Sequence, residues 1–140
     1  MSFPKTISGE ILCSGSAFGK LLVLTEPLSF WGGFDPRTGK IIDKHHPQVG
    51  CSVEGRILVI PESRGSAGTP AGLAEAVRIG KGPLGVVTKK PDINILAGFM
   101  TAAKLYGVHV PMIVVSGVDY EKICLAGEIS ILPSGELSLG

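Results

Sequence analysis

Residues 62–72 read ESRGSAGTPAG, and they decide the fold through what stands on either side: GRILVI at 55–60, before Pro61, and LAEAVRIG at 73–80. The first run is apolar and β-branched, as in a buried strand, whereas in the second Leu73, Ala76 and Val77 recur at helical spacing. A strand therefore hands over to a helix through a glycine-rich joint. A helix start presents unpaired N–H groups and a partial positive charge, and glycine lets a negatively charged ligand approach them closely. Arg64 adds a guanidinium fork that can grip a carboxylate or phosphate through two parallel hydrogen bonds. The joint reads as an anion seat. Ser66 within it has two open readings: an N-cap, or a hydroxyl that exchanges a proton with the anion, its alkoxide stabilised by backbone N–H groups and the nearby arginine. The spacing matches neither GxxxxGK[ST] nor GxGxxG.

Working outward, TISGEILC (6–13) and FGKLLVLT (18–25) read as an antiparallel strand pair across the turn SGSA. Residues 26–50 are punctuated by Pro27, Gly32, Gly33, Pro36, Gly39, Pro47 and Gly50, too densely for a helix, and an ordered loop of this length points to function. SVEGRILVIP is a strand ended by Pro61. Helices are predicted at Pro70–Ile79, stopped by Gly80, and at Asp92–Tyr106, with Asp92 as N-cap, Ile93, Leu96, Met100 and Ala103 as the buried stripe, and Gly107 as the stop. PLGVVT, VHVPMIVV and AGEISILP complete the strands, and Pro111 inside the second suggests a sheet edge or bulge. The expectation is a single α/β domain over residues 1–140, with about six strands and two main helices.

Composition narrows the function. With 44% apolar and only 18% charged residues, the surface is sparsely charged, which hints at a partner covering part of it. A net charge of +1 without a basic run discounts nucleic acid. The opening segment MSFPKTISGE carries no secretory pattern and no apolar run approaches bilayer length, so a cytoplasmic protein without membrane contact is expected. Cys13, Cys51 and Cys124 are scattered, fitting neither a disulfide framework nor a metal signature. No metal site is expected in this chain.

The strings SFWGGFDPRTGKIIDKHHPQVG (29–50), GRILVIPESRGSAGT (55–69) and ILAGFMTAAKLYGVHVPMIVV (95–115) stand in an order that resembles the small, swivelling subunit of aconitase X, from about Ile7 to Ser130. The resemblance implies a swivelling β/β/α domain and a dehydratase active only with a large subunit, which would carry an iron–sulfur cluster on its own cysteines. It also implies a small carboxylate substrate held between the two chains. Gly65 and Ser66 match the family's glycine–serine pair at a helix start, which makes Ser66 the expected general base. WGGFDP (31–36) resembles the family's other glycine-rich segment, so the expected substrate-binding residues are Trp31, Gly32, Gly33, Arg64, Gly65 and Thr69.

Two substrates are known for the family, cis-3-hydroxy-L-proline and (R)-5-phosphomevalonate. SRGSAGTPAG and GFMTAAKLYGVHVPMIVV look more like the bacterial type, which favours the hydroxyproline. Two other classes stay open: a phosphohistidine carrier using His46, and a non-catalytic regulatory subunit. Asp35, His45 and His46 read equally as loop-fixing hydrogen bonders or as site residues.

Overall fold

The computed structural model describes residues 5–64 and 68–139. The chain forms β1 (Lys5–Ser8), β2 (Glu10–Cys13), β3 (Ala17–Val23), β4 (Phe34–Asp35), β5 (Lys40–Ile41), β6 (Ile57–Val59), α1 (Thr69–Arg78), β7 (Gly85–Thr88), α2 (Ile93–Tyr106), β8 (Met112–Val114), α3 (Gly117–Cys124), β9 (Glu128–Ile131) and β10 (Glu136–Leu139). Eight strands hydrogen-bond in the order β1-β10-β9-β3-β6-β7-β8-β2, and β4–β5 form a separate ribbon.

Two segments turn corners between sheets. The first half of β3 pairs antiparallel with β9, and its second half, from Leu21, runs parallel to β6. Only Gly9 separates β1 from β2, yet β1 pairs with β10 and β2 with β8, so both ends of the strand order lie on one stretch of chain. Glycine is required at that corner because a Cβ would run into the Ile113 side chain and sit 3.0 Å from the Val114 carbonyl oxygen.

The alternation of side chains along the strands builds two apolar layers. Leu21, Ile57, Val59, Val87 and Ile113 point to one side, where they meet Ile129, Ile131 and Leu137 of the antiparallel strands and Tyr120 and Ile123 of α3. Leu22, Leu58, Ile60, Val86 and Met112 point to the other, against Leu73, Ala76 and Val77 of α1 and Ile95, Phe99 and Ala102 of α2. This is the expected β/β/α layering, with more strands than the six expected.

The extra strands are short. TISGEILC breaks into two at Gly9, the chain beyond AGEISILP adds β10, and the long loop holds β4–β5. The anticipated pairing of TISGEILC with FGKLLVLT does not form. From Leu21 onward β3 buries both faces, which requires strands on both of its sides, while β2 exposes Glu10 and Ile11 as a terminal strand. SVEGRILVIP contributes only Ile57–Val59 to the sheet, because Gly55, at φ +69°, turns the chain just before it. Pro111 marks no sheet edge: it precedes β8, an interior strand, its carbonyl accepts from Val86 N–H at 2.9 Å, and the register irregularity lies opposite, between Ile11 and Cys13.

Helix α3 was absent from the expectation. Its N-cap Ser116 accepts from Asp119 N–H at 3.3 Å, and only Tyr120 and Ile123 are buried, too few to mark a helical period in eight residues. The predicted buried stripe of α2 is also corrected. Ile93 and Met100 are exposed, and Ile95, Gly98, Phe99 and Ala102 face inward. Both stripes are apolar, so periodicity alone leaves the choice open, and packing decides it. A Cβ at Gly98 would lie 2.9 Å from Leu73 Cβ and 3.2 Å from the Pro70 carbonyl oxygen, so glycine lets α1 and α2 approach closely on that side.

Candidate functional site

The strand leading into the joint ends under control. Ile60 N–H makes a last ladder bond to Val87 O at 3.1 Å, Pro61 follows, and Arg64 N–H donates to Leu28 O at 2.9 Å. Between them Ser63 is clamped: its N–H donates to Asp92 Oδ2 at 2.6 Å, and its hydroxyl lies 2.9 and 3.0 Å from the two carboxylate oxygens. The same carboxylate accepts from Ile95 N–H at 3.1 Å, closing the start of α2 as predicted for Asp92. Serine and carboxylate are both buried, where such charge-assisted bonds are strong. Ser63 was missed at the level of sequence, because a serine at a strand end carries no signal until its partner 29 residues on is folded beside it. The ion pair of Glu62 and Lys90, at 3.0 Å, is solvent-exposed and contributes at most about 1 kcal/mol.

The Arg64 side chain is exposed and, among the described residues, engages no carboxylate. Gly65 and Ser66 lie outside the described residues. The chain is described again from Gly68, the N-cap of α1, which has helical angles (φ −81°, ψ −13°) and no side-chain cap. Thr69 follows, fully buried, and its Oγ1 has no hydrogen-bond partner among the described residues. It is a polar group with unused bonding capacity in the first turn of the helix.

The structure brings the WGGFDP segment to this helix start. A Cβ on Gly68 would lie 2.5 Å from Trp31 Cδ2 and Cε3, so the indole packs directly against the glycine. Four residues along, on the same helix face, a Cβ on Gly72 would come within 2.8 Å of the Phe30 carbonyl oxygen. Ser29 shapes the segment: its hydroxyl donates to Trp31 O at 2.7 Å and accepts from Trp31 N–H at 3.3 Å. The paired glycines differ. Gly32 is exposed at φ +92°, in the left-handed region, with open space around its α-carbon. Gly33 is buried, a Cβ there would meet Ser29 O at 2.6 Å, and its carbonyl accepts from Ile42 and Asp43 N–H groups. Gly32 therefore faces the solvent side of the segment, and Gly33 serves its packing. Phe30, Trp31, Gly32, Phe34, Pro36 and Gly72 line an open cavity of about 410 Å³ beside the α1 start.

The loop histidines and Asp35 have structural partners. Asp35 accepts from Arg37 N–H at 3.0 Å and the Thr38 hydroxyl at 3.1 Å, which holds the β4–β5 turn. His45 is exposed, and its N–H bonds to Asp43 at 2.9 Å. His46 is buried; Nδ1 accepts from Gln48 N–H at 3.0 Å, which assigns the ring proton to Nε2, 3.2 Å from Glu26 O. With both ring nitrogens engaged, His46 offers no accessible lone pair to a phosphoryl group, which speaks against the carrier reading.

The three cysteines sit on separate elements, Cys13 in β2, Cys51 in the loop and Cys124 in α3, and burial pushes the Cys13 and Cys124 thiols up. Among the described residues no group of three or more His, Cys, Asp or Glu is placed to hold a metal ion. An iron–sulfur cluster, which needs several cysteine thiolates around one centre, does not fit these residues. No helix among the described residues is long and apolar enough to cross a membrane.

Comparison with known proteins places the chain. The family profile of the aconitase X swivel domain matches residues 6–138. A cis-3-hydroxy-L-proline dehydratase of Pseudomonas aeruginosa is 41% identical over 112 residues, covering 80% of this chain and 19% of that protein. A phosphomevalonate dehydratase small subunit of Pyrococcus abyssi is 34% identical over 122 residues, covering 86% of this chain and 88% of its own length. The chain thus spans about a fifth of the Pseudomonas protein and nearly all of the Pyrococcus one. The crystal structure of Thermococcus kodakaraensis aconitase X in its holo-form superposes with a TM-score of 0.83 at 27% identity, covering 97% of this chain and 98% of that one. The strand–joint–helix unit under Trp31, the β/β/α layers and these matches agree: the chain belongs to the aconitase X family, as its swivel domain.

Proposed function

We propose that this chain is the small subunit of an aconitase X-type hydro-lyase that removes water from cis-3-hydroxy-L-proline, with Ser66 as general base in a site completed by a large chain. The observation that carries the reading is the 41% identity to the Pseudomonas cis-3-hydroxy-L-proline dehydratase. The joint supports it, since dehydration of a carboxylate needs an anion seat beside a base. In this reading the exposed Arg64 guanidinium and the backbone N–H groups of Gly65 and Gly32 hold the substrate carboxylate, while Trp31 and Thr69 bound its position at the start of α1.

Ser66, as the alkoxide, takes the proton from the carbon next to the carboxylate. The C–H electron pair becomes the new carbon–carbon double bond, and the hydroxyl on the adjacent carbon leaves as water after gaining a proton. An iron–sulfur cluster, if held by the large chain, would supply the Lewis acid for the departing hydroxyl; this chain's part is the base and the carboxylate seat. The same backbone N–H groups and Arg64 that seat the carboxylate lower the cost of the serine alkoxide.

A second reading, the small subunit of (R)-5-phosphomevalonate dehydratase, is favoured by the reach of the match: 34% identity extends over 88% of the Pyrococcus abyssi small subunit. One experiment separates them. The chain is co-expressed with a large aconitase X subunit and assayed for dehydration of both substrates, wild type beside Ser66→Ala. The expected result is turnover of the hydroxyproline, reduced by about 10²–10⁴-fold in Ser66→Ala with the complex intact. Turnover of phosphomevalonate alone would replace the first reading with the second, and turnover untouched by the substitution would leave the chain a non-catalytic subunit.

A further inference from the structure

Helix α2 carries an apolar stripe on each side. The inner one packs against α1 and the sheet, as described above. The outer one is Ile93 and Met100, 78% and 57% exposed, with the half-buried Ala103 beside them, while Leu96 between them is half-buried and packs against the core. Across its fourteen residues the helix has one charged side chain, Lys104. Its neighbour α1 lies in the same layer and turns outward an ion pair, Arg78 Nε donating to Glu75 Oε2 at 2.9 Å. On the far side of the molecule the outward residues of β9 and β10 include Glu128, Ser130 and Ser138. Phe18, opposite Ser130, and Leu132 stand exposed on that far face as well; on α2 the exposed apolar residues align along one side of a helix, the mark of a covered face. At Met100 the stripe opens into a groove of about 540 Å³ between α2 and the end of β2, lined by Leu12, Cys13, Ala103, Lys104 and His109.

We infer that this stripe and groove are the surface on which the large aconitase X chain docks. The inference rests on the two-chain reading above, and two observations select this occupant over others. The stripe begins at Ile93, next to Asp92, whose carboxylate holds Ser63 at the entrance to the joint, so a chain that completes the site there reaches the first residue of the stripe. In the Pseudomonas relative this domain's match accounts for 19% of the polypeptide, which leaves about four times as much protein to lie against it. Lys104 and His109 at the far end of the groove call for acidic residues on the docking chain.

Ile93→Glu and Met100→Glu test it, with Arg78→Ala on the outer face of α1 as control. Both stripe positions are exposed, and a glutamate in the first turn of α2 is compatible with the helix, so the variants should melt like wild type. Binding to the purified large chain is measured by surface plasmon resonance, turnover of the assembled pair is followed separately, and the isolated small chain is sedimented. The expected result is a dissociation constant raised about 30-fold or more in each stripe variant, the loss typical of a charged residue at a buried anchor position, and unchanged in Arg78→Ala. Binding within two-fold of wild type in both variants, with turnover intact, overturns the docking surface and leaves the enzymatic reading standing. A wild-type pair that assembles through the stripe but dehydrates neither substrate supports the docking surface and overturns the enzymatic reading. A stripe that instead holds two copies of the small chain together, with the dimer lost in Met100→Glu, assigns the face to self-association and overturns the inference.

Discussion

Helices α1 and α2 lie side by side on one face of the sheet, and their first residues are built in opposite ways. Helix α2 starts on Asp92, in the extended conformation (φ −123°, ψ 105°), whose carboxylate accepts from the first turn and from Ser63. Helix α1 starts on Gly68, already helical, with no side-chain cap and no acidic residue in its first turn. Both ends meet the same demand, since the N–H groups of a first turn want a negative partner. At α2 the chain provides that partner and uses it to tie down the segment that leaves β6. At α1 the N-cap is a glycine under a tryptophan ring, and in the function proposed above the carboxylate that suits the position is the substrate's. The α2 start, closed by its own side chain, holds structure together; the α1 start is the one to which the proposed function gives binding.

The widest separation between the two ends is expected from serines three residues apart. In the assembled enzyme Ser66→Ala should lower turnover by about 10²–10⁴-fold, while Ser63→Ala, which keeps the backbone bond to Asp92, should cost about 1 kcal/mol in urea unfolding. Equal losses of turnover would erase the distinction. Asp92→Ala leaves Ser63 N–H, the Ser63 hydroxyl and Ile95 N–H without their buried acceptor and should destabilise by about 3 kcal/mol. A cost below about 1 kcal/mol in chemical denaturation would show that the clamp is dispensable.

At α1 the sign of one substitution is informative. Gly72→Ala should gain up to about 1 kcal/mol from helix propensity, yet its Cβ meets the Phe30 carbonyl oxygen at 2.8 Å, a backbone atom that yields little. A net loss of about 1–2 kcal/mol is expected, measured by thermal unfolding; a net gain would mean that the loop is not pressed against the helix. The smallest effect is expected from Gly68→Ala. Trp31 is 66% exposed and can swing aside, so stability should fall by less than about 1 kcal/mol. Trp31 is the one tryptophan in the chain, and its fluorescence should shift as the ring leaves the glycine. An unchanged spectrum would separate the ring from the helix start.

How much of this was legible in advance depends on the range of the interaction. The limits of α1 and α2 followed from local signals: Asp92 and Gly107 cap α2 as read, and Pro70 stands in the first turn of α1. Thr69 stands within the same short stretch, as a residue the resemblance implies, whereas Gly72 carried no signal of its packing against Phe30. The contact of Trp31 with Gly68 was not legible, nor was the clamp of Ser63 by Asp92, because each joins residues separated by tens of positions. Two errors have the same origin. The strand pair proposed for residues 6–25 assumed that neighbours in sequence pair in space, and the buried stripe of α2 assumed that the more regular apolar period faces inward.

By itself, the sequence determined the strand–joint–helix unit, the glycine-rich segment at Trp31, and the resemblance that names the family, since these depend on residue identity and short spacing. Tertiary structure alone decided that β1 and β2 split between two sheets at Gly9, which side of α2 is buried, and that His46 is a loop anchor. The physical reason is common to all three. Each position is compatible with two local arrangements of similar energy, and only the packing of distant side chains, down to which of two sites a Cβ can occupy, makes one of them lower.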